Sequence, residues 1–392
     1  MNEESGHGRN GKLRIAFIGG RGVVSKYSGI EAYYEEVGKR LAERGHEVSV
    51  YCRSYFTPPV RYHHGMRVVR LPTLRRKHFE TFVHSLLSTL HTLASRYDIV
   101  HFHSLGSSIF SFIPRVFGMK TVVTVHSLDW QSSKWGGFSR WFLRLCEGTS
   151  FRFPNATMVV SRTLRARYLS EHGAETTVVP NGVNPPARRR AARTLGWGLE
   201  PKKYILFLGR LSPEKNVHLL IQAFEMIGTD VKLAIAGGTS YTGSYIAELK
   251  RHESDRIRFL GWVCGEPLEE LLSNALLFVL PSDFEGLSVS LLEAMAYGLC
   301  VLTSDIPQNV ELVQGAGYTF ARGDVEDLQH MLELLLSRED LRAEASRNAR
   351  ARVERDYLWT NVAERVEQVY YSVTDMERTP SRSPVAPGDA TY

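Results

Sequence analysis

The sequence predicts an α/β protein built from two doubly wound, parallel-sheet halves, and three features carry that expectation. Short apolar runs alternate with longer segments whose apolar positions recur at helical spacing. Several of these runs end at glycine or at a polar residue suited to ligand binding, as parallel strands buried on both faces do. The alternation halts at a basic, proline-bearing stretch, Asn184–Arg190, and then begins again.

In the first half, Leu13–Gly19 reads as a buried strand. Gly29–Arg44 reads as a helix, with Ile30, Tyr34, Val37 and Leu41 on one stripe. Gly45 ends it and Glu47–Tyr51 is the next strand, closing a β-α-β unit with a right-handed crossover. Arg67–Leu71 is a strand, Phe82–Ala94 an amphipathic helix and Ile99–His103 a strand. A helix near Ser108–Phe117 follows, then strands at Thr121–His126, Ala156–Ser161 and Glu175–Pro180. In the second half the strands are Tyr204–Gly209, Lys232–Ala236, Ile257–Gly261, Leu276–Leu280 and Val301–Ser304. The helices are His218–Ile227, Leu268–Asn274, Val289–Tyr297, Asp327–Leu336, Asp340–Val353 and Trp359–Tyr370.

The expected domains are a tail at 1–12, a first domain at 13–183, a linker at 184–200 and a second domain at 201–355. A final helix at 356–373 crosses back to the first domain, and a Pro/Ser-rich tail, expected to be disordered, fills 374–392. Two such domains would face each other and hold a ligand in the cleft between them.

Composition narrows the function. With 43% hydrophobic and 23% charged residues among 392, the chain has material for two cores, which excludes disorder throughout. No apolar run approaches the roughly 18–20 residues of a membrane span, and the polar N-terminus does not read as a secretory signal. The net charge of +6 divides into +12 over residues 1–185 and −6 over the remainder. A basic first half suits an anionic acceptor or anionic lipid. No nucleic-acid-binding module is legible, so nucleic acid is not an expected partner. Cys52, Cys146, Cys264 and Cys300 lack paired or metal-ligand spacing and read as buried reduced thiols of a cytoplasmic protein.

The strongest chemical constellation is P-S-D-F-E-G-L-S-V-S-L-L-E-A-M-A-Y-G at 281–298, placed at the carboxyl end of a strand. Glu285 falls in the loop and Glu293 inside the following helix. Gly286, Leu287 and Ser288 bring free amides to that helix N-terminus, which suits phosphate. Carboxylates on either side can accept hydrogen bonds from sugar hydroxyls. Taken singly, two glutamates are more often a solvated loop residue and a helix-surface charge; the whole string argues otherwise. Arg210 and Lys215, just after a strand end, offer a fixed fork and a mobile ammonium for phosphate oxygens. Taken alone, Arg210 would serve an interdomain salt bridge equally well.

The 281–298 string resembles the E-x7-E signature of retaining family 4 (group 1) glycosyltransferases. The resemblance extends to F-L-G-R-L-S-P-E-K-N at 207–216, with Asn216 where the family usually has Gly, to V-V-P-N-G-V at 178–183 and to V-S-R-T-L at 160–164. The opening I-G-G-R-G-V-V-S-K-Y-S-G-I-E-A is similar to a bacterial polysaccharide-biosynthesis subgroup. With T-V-H-S-L-D-W, the likeness covers about residues 13–372.

The resemblance implies the GT-B fold, two Rossmann-like domains across a cleft. It implies a retaining hexosyltransferase that uses a nucleotide-diphosphate sugar, UDP-linked on family frequency. The acceptor would be a hydroxyl of a glycan, a lipid-linked or a small-molecule acceptor in cell-surface polysaccharide or glycolipid synthesis. Arg210 and Lys215 would neutralise the diphosphate, Glu293 would hold the ribose, and Glu285 would hold the sugar near the reacting carbon. Gly286, Leu287 and Ser288 would touch the donor through backbone, and the base would lie near Val263, Pro281 and Ser282.

From the first domain the resemblance implies Gly29 and His126, with Asp129 orienting the acceptor. Ser28 replaces one of the family's two adjacent glycines and narrows backbone freedom there. A lone histidine at a strand end is usually a hydrogen-bonded structural residue, and T-V-H-S-L-D-W reverses that for His126. His101 and His103 are assigned to opposite strand faces, His103 to the cleft. Trp262 is either a base-stacking ring or packing. Gly19, Gly20 and Gly22 sit like a dinucleotide loop without its G-x-G-x-x-G spacing.

No D-x-D and no convincing metal-ligand spacing appears, so neither metal nor cofactor is expected. The Arg75–Lys77 run and the helix Phe82–Ala94 are either a solvated face or a peripheral contact with anionic membrane at the inner surface. A sugar-nucleotide epimerase, a phosphorylase and a non-catalytic nucleotide-sugar-binding protein remain open. A nicotinamide dehydrogenase is disfavoured by the missing fingerprint.

Overall fold

The computed structural model describes residues 11–24, 29–75, 79–132, 136–238 and 243–374. Two sheets organise the chain. The first contains β1 (Arg14–Ile18), β2 (Glu47–Arg53), β3 (Tyr62–His63), β4 (Met66–Leu71), β5 (Ile99–His103), β6 (Lys120–Val125), β7 (Ala156–Val159) and β8 (Thr177–Val178). Their order is β3-β4-β2-β1-β5-β6-β7-β8. β1 pairs in parallel with β2 and β5, β2 with β4, and β5 with β6, whereas β3–β4 is an antiparallel hairpin.

The second sheet contains β9 (Tyr204–Leu208), β10 (Lys232–Ala236), β11 (Ile257–Gly261), β12 (Leu277–Leu280), β13 (Cys300–Ser304) and β14 (Tyr318–Phe320). All five pairings in its order β11-β10-β9-β12-β13-β14 are parallel. Both are doubly wound α/β sheets, as the alternation in the sequence predicts.

By contacts the chain forms two compact units. One holds residues 1–125, 144–158 and 363–392, and the other holds 126–143 and 159–362. The second unit's core runs through Leu206, Phe207, Phe224, Phe278, Leu291 and Leu302, all fully buried. Burying such side chains stabilises by roughly 1.5–3 kcal/mol each.

In the first unit, helix α1 (Gly29–Glu43) buries Tyr33, Tyr34, Val37 and Leu41 as one stripe. The C-terminal helix Trp359–Val373 brings Glu367 to His46 (2.9 Å) and Arg44 (2.9 Å). It also brings the Tyr370 hydroxyl within 2.7 Å of His101.

Several expectations need correction. Helix α2 (Glu80–Leu93) is present, but its amphipathic sense is inverted. It buries His84, Ser85, Ser88, Thr89 and Thr92 and leaves Leu87 and Leu90 exposed. The helix expected at Ser108–Phe117 is two short ones, Leu105–Ser108 and Phe112–Val116. Helices Gly137–Arg152 and Arg162–His172 were not foreseen. In the former, Phe138, Trp141 and Leu145 are exposed, so the apolar pattern does not report burial.

Cys264 is exposed, against the expectation of four buried thiols. Burial pushes the Cys52 thiol up to about 11 and those of Cys146 and Cys300 up to about 12. No helix among the described residues is long and apolar enough to cross a membrane. Most of both terminal tails, Ser28, and Arg76 and Lys77 of the basic run lie outside the described residues.

Candidate active site

Four segments remote in sequence converge on the loop Pro281–Ser288, all within the second unit. The loop leaves β12 with Pro281 and Ser282 buried, and Ser304 Oγ donates to the Ser282 carbonyl at 2.5 Å. The Asp283 amide donates to the Glu214 carbonyl (2.9 Å), and Asn216 Nδ2 donates to the Pro281 carbonyl (3.2 Å). Asn216 has a φ of 50°. Asparagine is among the few non-glycine residues that visit this left-handed region readily. The departure from the family's glycine therefore keeps the turn and adds a hydrogen bond.

Glu285 is buried and accepts a hydrogen bond from Lys215 Nζ, both side chains being about nine-tenths covered. An ammonium has three donors, so this contact leaves two for other acceptors. Next in the chain, Gly286 lies against His126. A Cβ at this position would sit 1.8 Å from the His126 carbonyl oxygen, a distance no real side chain shows. Only glycine permits that approach. The Leu287 carbonyl accepts from Asn181 Nδ2 at 3.2 Å.

Ser288 caps the helix Val289–Ala296, its hydroxyl accepting from the Leu291 amide. Among the described residues, the amides of Gly286, Leu287 and Ser288 make no hydrogen bond. They stand at a helix N-terminus, where free amides and the helix dipole favour an anion.

Arg210 follows β9 and is half-buried; among the described residues its guanidinium makes no hydrogen bond or ion pair. Glu293 lies within the helix, half-buried. Burial, with help from the carboxylates of Glu269 and Glu293, pushes the Tyr297 hydroxyl up to about 12.

His126 is buried just past β6. Burial pulls its imidazole down to about 4, and the neighbouring Asn181 side chain opposes that shift. It is therefore neutral at pH 7 and offers one donor and one acceptor rather than a charge. Asp129 accepts from Ser127 Oγ at 2.9 Å. Val263 is half-buried after β11, beside Trp262, which is 54% exposed.

Gly29 begins α1 in the first unit. The glycines before it are packed by the protein itself. The Gly20 amide donates to the Tyr34 hydroxyl (2.7 Å) and the Arg21 amide to Glu31 Oε1 (3.1 Å). A Cβ at Gly19 would lie 2.2 Å from the His103 carbonyl oxygen. The resemblance to a dinucleotide cradle is weakened because two of its amides, those of Gly20 and Arg21, are already engaged.

His101 and His103 are corrected as well. Their rings are 4.0 Å apart and both stand against Phe17, so they share one face. Residues two apart on a strand point the same way.

Asn181 was missed as a site residue although its P-N-G-V string was legible; nothing in that string says what its amide meets. Glu35, His63 and His64 also come together in the first unit, with no spacing in the sequence to announce it.

Residues 197–352 match the family model described as glycosyl transferases group 1, and residues 27–186 match that of glycosyltransferase family 4. A glycogen synthase of Mycobacterium tuberculosis is 30% identical over 300 residues, covering 73% of this chain and 71% of that one. An uncharacterised glycosyltransferase of Methanocaldococcus jannaschii is 25% identical, covering 93% and 99%. Among solved structures, a sucrose-phosphate synthase from Thermosynechococcus elongatus superposes with a TM-score of 0.79 at 23% identity, covering 92% of this chain and 99% of that one. Anabaena HepE in complex with UDP and glucose superposes at 0.76 and 18% identity, covering 92% and 100%.

Proposed function

Because the chain belongs to the group 1/family 4 glycosyltransferases, we propose that it moves a hexose from a nucleotide-diphosphate sugar, UDP-linked, to an acceptor hydroxyl with retention. The product would serve cell-surface polysaccharide or glycolipid synthesis. The observation that supports this most is the convergence at 281–288. Free amides at a helix N-terminus, the Lys215 ammonium and the Arg210 guanidinium stand with the buried Glu285 in one unit. Anabaena HepE holds UDP-glucose and a plant starch synthase holds ADP, which supports a nucleotide-diphosphate donor.

In this reading Arg210, Lys215 and the amides of Gly286, Leu287 and Ser288 take the diphosphate. Glu293 takes the ribose hydroxyls and Val263 borders the base. Glu285 takes the sugar hydroxyls beside the reacting carbon, and neutral His126 hydrogen-bonds the sugar or its phosphate.

Catalysis is positioning together with stabilisation of the departing diphosphate. The acceptor oxygen attacks the anomeric carbon from the face the diphosphate leaves. A donor phosphate oxygen takes the acceptor proton, and no protein nucleophile is used. The cationic side chains supply the charge that a metal would otherwise bring, so turnover is independent of divalent cation.

A panel of nucleotide sugars tests the reading by thermal shift and by release of nucleoside diphosphate with and without acceptors. Donor-dependent release that needs an acceptor is the expected result. Epimerised donor, or phosphorolysis without acceptor, would replace it with the epimerase or phosphorylase reading.

A further inference from the structure

The β3–β4 hairpin carries a cluster that the proposed reaction does not use. His63 pairs with Met66 across the ladder, leaving His64 and Gly65 as a two-residue loop with φ of 47° and 78°. Positive φ at both positions marks a type I′ turn, whose low-cost sequence is Asn-Gly. Histidine, like asparagine, is among the non-glycine residues that visit this region, and asparagine is the one the turn prefers.

This turn is seated on one face of α1. Met66 fills the notch at Gly38, where a Cβ would lie 2.3 Å from its Sδ, and a Cβ at Gly65 would lie 3.2 Å from that of Ala42. Glu35 is on the same face, one turn before Gly38. Its Oε1 is 3.8 Å from His63 Nε2 and 3.5 Å from His64 Nε2.

Those separations exceed the roughly 2.7–3.2 Å of a hydrogen bond. They approach the separation of about 3.3–3.5 Å between ligand atoms of a tetrahedral zinc with bonds of about 2.0–2.2 Å. The ligating atoms of all three side chains lie within 4.8 Å of one another. Glu35 and His63 are mostly covered, whereas His64 is 45% exposed and gives a cation a way in.

We propose that Glu35, His63 and His64 form a binding site for a divalent cation, with zinc the best match to two imidazoles and one carboxylate. A fourth position would remain open to solvent. The cation would clamp the hairpin to α1, the helix that begins at Gly29. Its role is structural and separate from the phosphate cations, so it does not depend on the donor chemistry proposed above.

The test uses the full chain, stripped with chelator and titrated with Co²⁺ and then Zn²⁺. Visible absorption and calorimetry follow the titration. Ligand-field bands saturating at one equivalent, displaced by Zn²⁺, with a rise in thermal midpoint on adding Zn²⁺, are expected. His64→Asn suits the type I′ turn and is expected to fold at least as stably without metal. It should lose the Co²⁺ bands and weaken Zn²⁺ by at least about 100-fold, since even an outer-shell change costs about 10–100-fold. Glu35→Gln should show the same loss. Absence of Co²⁺ bands in the natural protein would overturn the site, as would bands and Zn²⁺ affinity unchanged in both variants.

Discussion

The two glycine-bearing loops make an instructive contrast. Each follows a parallel strand and leads into a helix, and each needs glycine because backbone is pressed close behind it. At Gly19–Gly22 the protein has filled its own cradle. Tyr34 takes the Gly20 amide, Glu31 takes the Arg21 amide, and Thr57 Oγ1 would be 2.1 Å from a Cβ at Gly22. At Gly286–Ser288 the glycine meets the His126 carbonyl, and the loop's amides are left without partners among the described residues. Glycine after a strand therefore signals close approach; whether the approach serves a ligand or the fold depends on what occupies the amides. An unoccupied row of amides beside cations is where binding energy is available.

Changes at the open loop should alter chemistry, and changes at the filled loop should alter only stability. The largest effect is expected at Glu285. Contact beside the reacting carbon tightens as charge develops, so Glu285→Gln should lower kcat by on the order of 10²-fold or more. Glu293→Gln should mainly raise donor KM, because a ribose contact is similar in ground and transition states. Steady-state kinetics on both variants, with folding checked by circular dichroism, separates the two. Near-normal kcat in Glu285→Gln would remove it from the reacting centre.

Lys215→Ala should weaken nucleoside diphosphate binding about tenfold or more, the loss of a charge-assisted contact of roughly 1.5–3 kcal/mol. Because Lys215 also holds Glu285, it should lower kcat as well, and its effect should not add to that of Glu285→Gln. Additive losses in the double variant would mean that the two side chains act separately. Calorimetry with the diphosphate gives the first number and the kinetic cycle the second.

A smaller effect concerns pH. His126 titrates near 4 in the folded chain, below its ordinary 6.5, so the folded state binds fewer protons than the unfolded one. The stability this leaves is complete above about 6.5 and is lost as pH falls toward 4. Each tenfold weakening of proton affinity is worth about 1.4 kcal/mol, so the loss is on the order of a few kcal/mol. His84, also buried and pulled down to about 4, adds in the same direction. Urea midpoints between pH 7 and pH 4 should fall less steeply in His126→Gln than in the natural protein, and parallel curves would contradict the assignment.

The smallest change is expected at the filled loop. Tyr34→Phe leaves the Gly20 amide buried without an acceptor, at about 1–3 kcal/mol. Thermal unfolding should register it while donor KM stays constant. A shifted KM would contradict a purely structural role for this loop.

Much of the fold was legible because strand and helix periods are local properties. β5, β10 and β11 span the apolar runs that announced them, and the helix expected from Val289 starts there. The helix Gly137–Arg152 was not legible because Phe138, Trp141 and Leu145 face outward, so apolar periodicity and burial disagree there. α2 shows the converse, with serine and threonine buried and Leu87 and Leu90 exposed. At the candidate site, motif and strand-end position singled out Glu285, Glu293, Arg210 and Lys215, but not which of them would touch; the fold pairs Lys215 with Glu285.

By itself, then, the sequence determined the two α/β repeats, the strand ends that carry polar residues, and the residue types suited to phosphate and sugar. These depend on neighbours in the chain. Tertiary structure alone decided that Lys215 meets Glu285, that Gly286 lies under the His126 carbonyl, and that Asn181 supports Leu287. It alone engaged the amides of Gly20 and Arg21, put His101 and His103 side by side, and brought Glu35 to His63 and His64. The physical reason is that hydrogen bonds and ion pairs act over about 3–4 Å. Residues distant along the chain come within that range only once sheet order and crossovers have folded it.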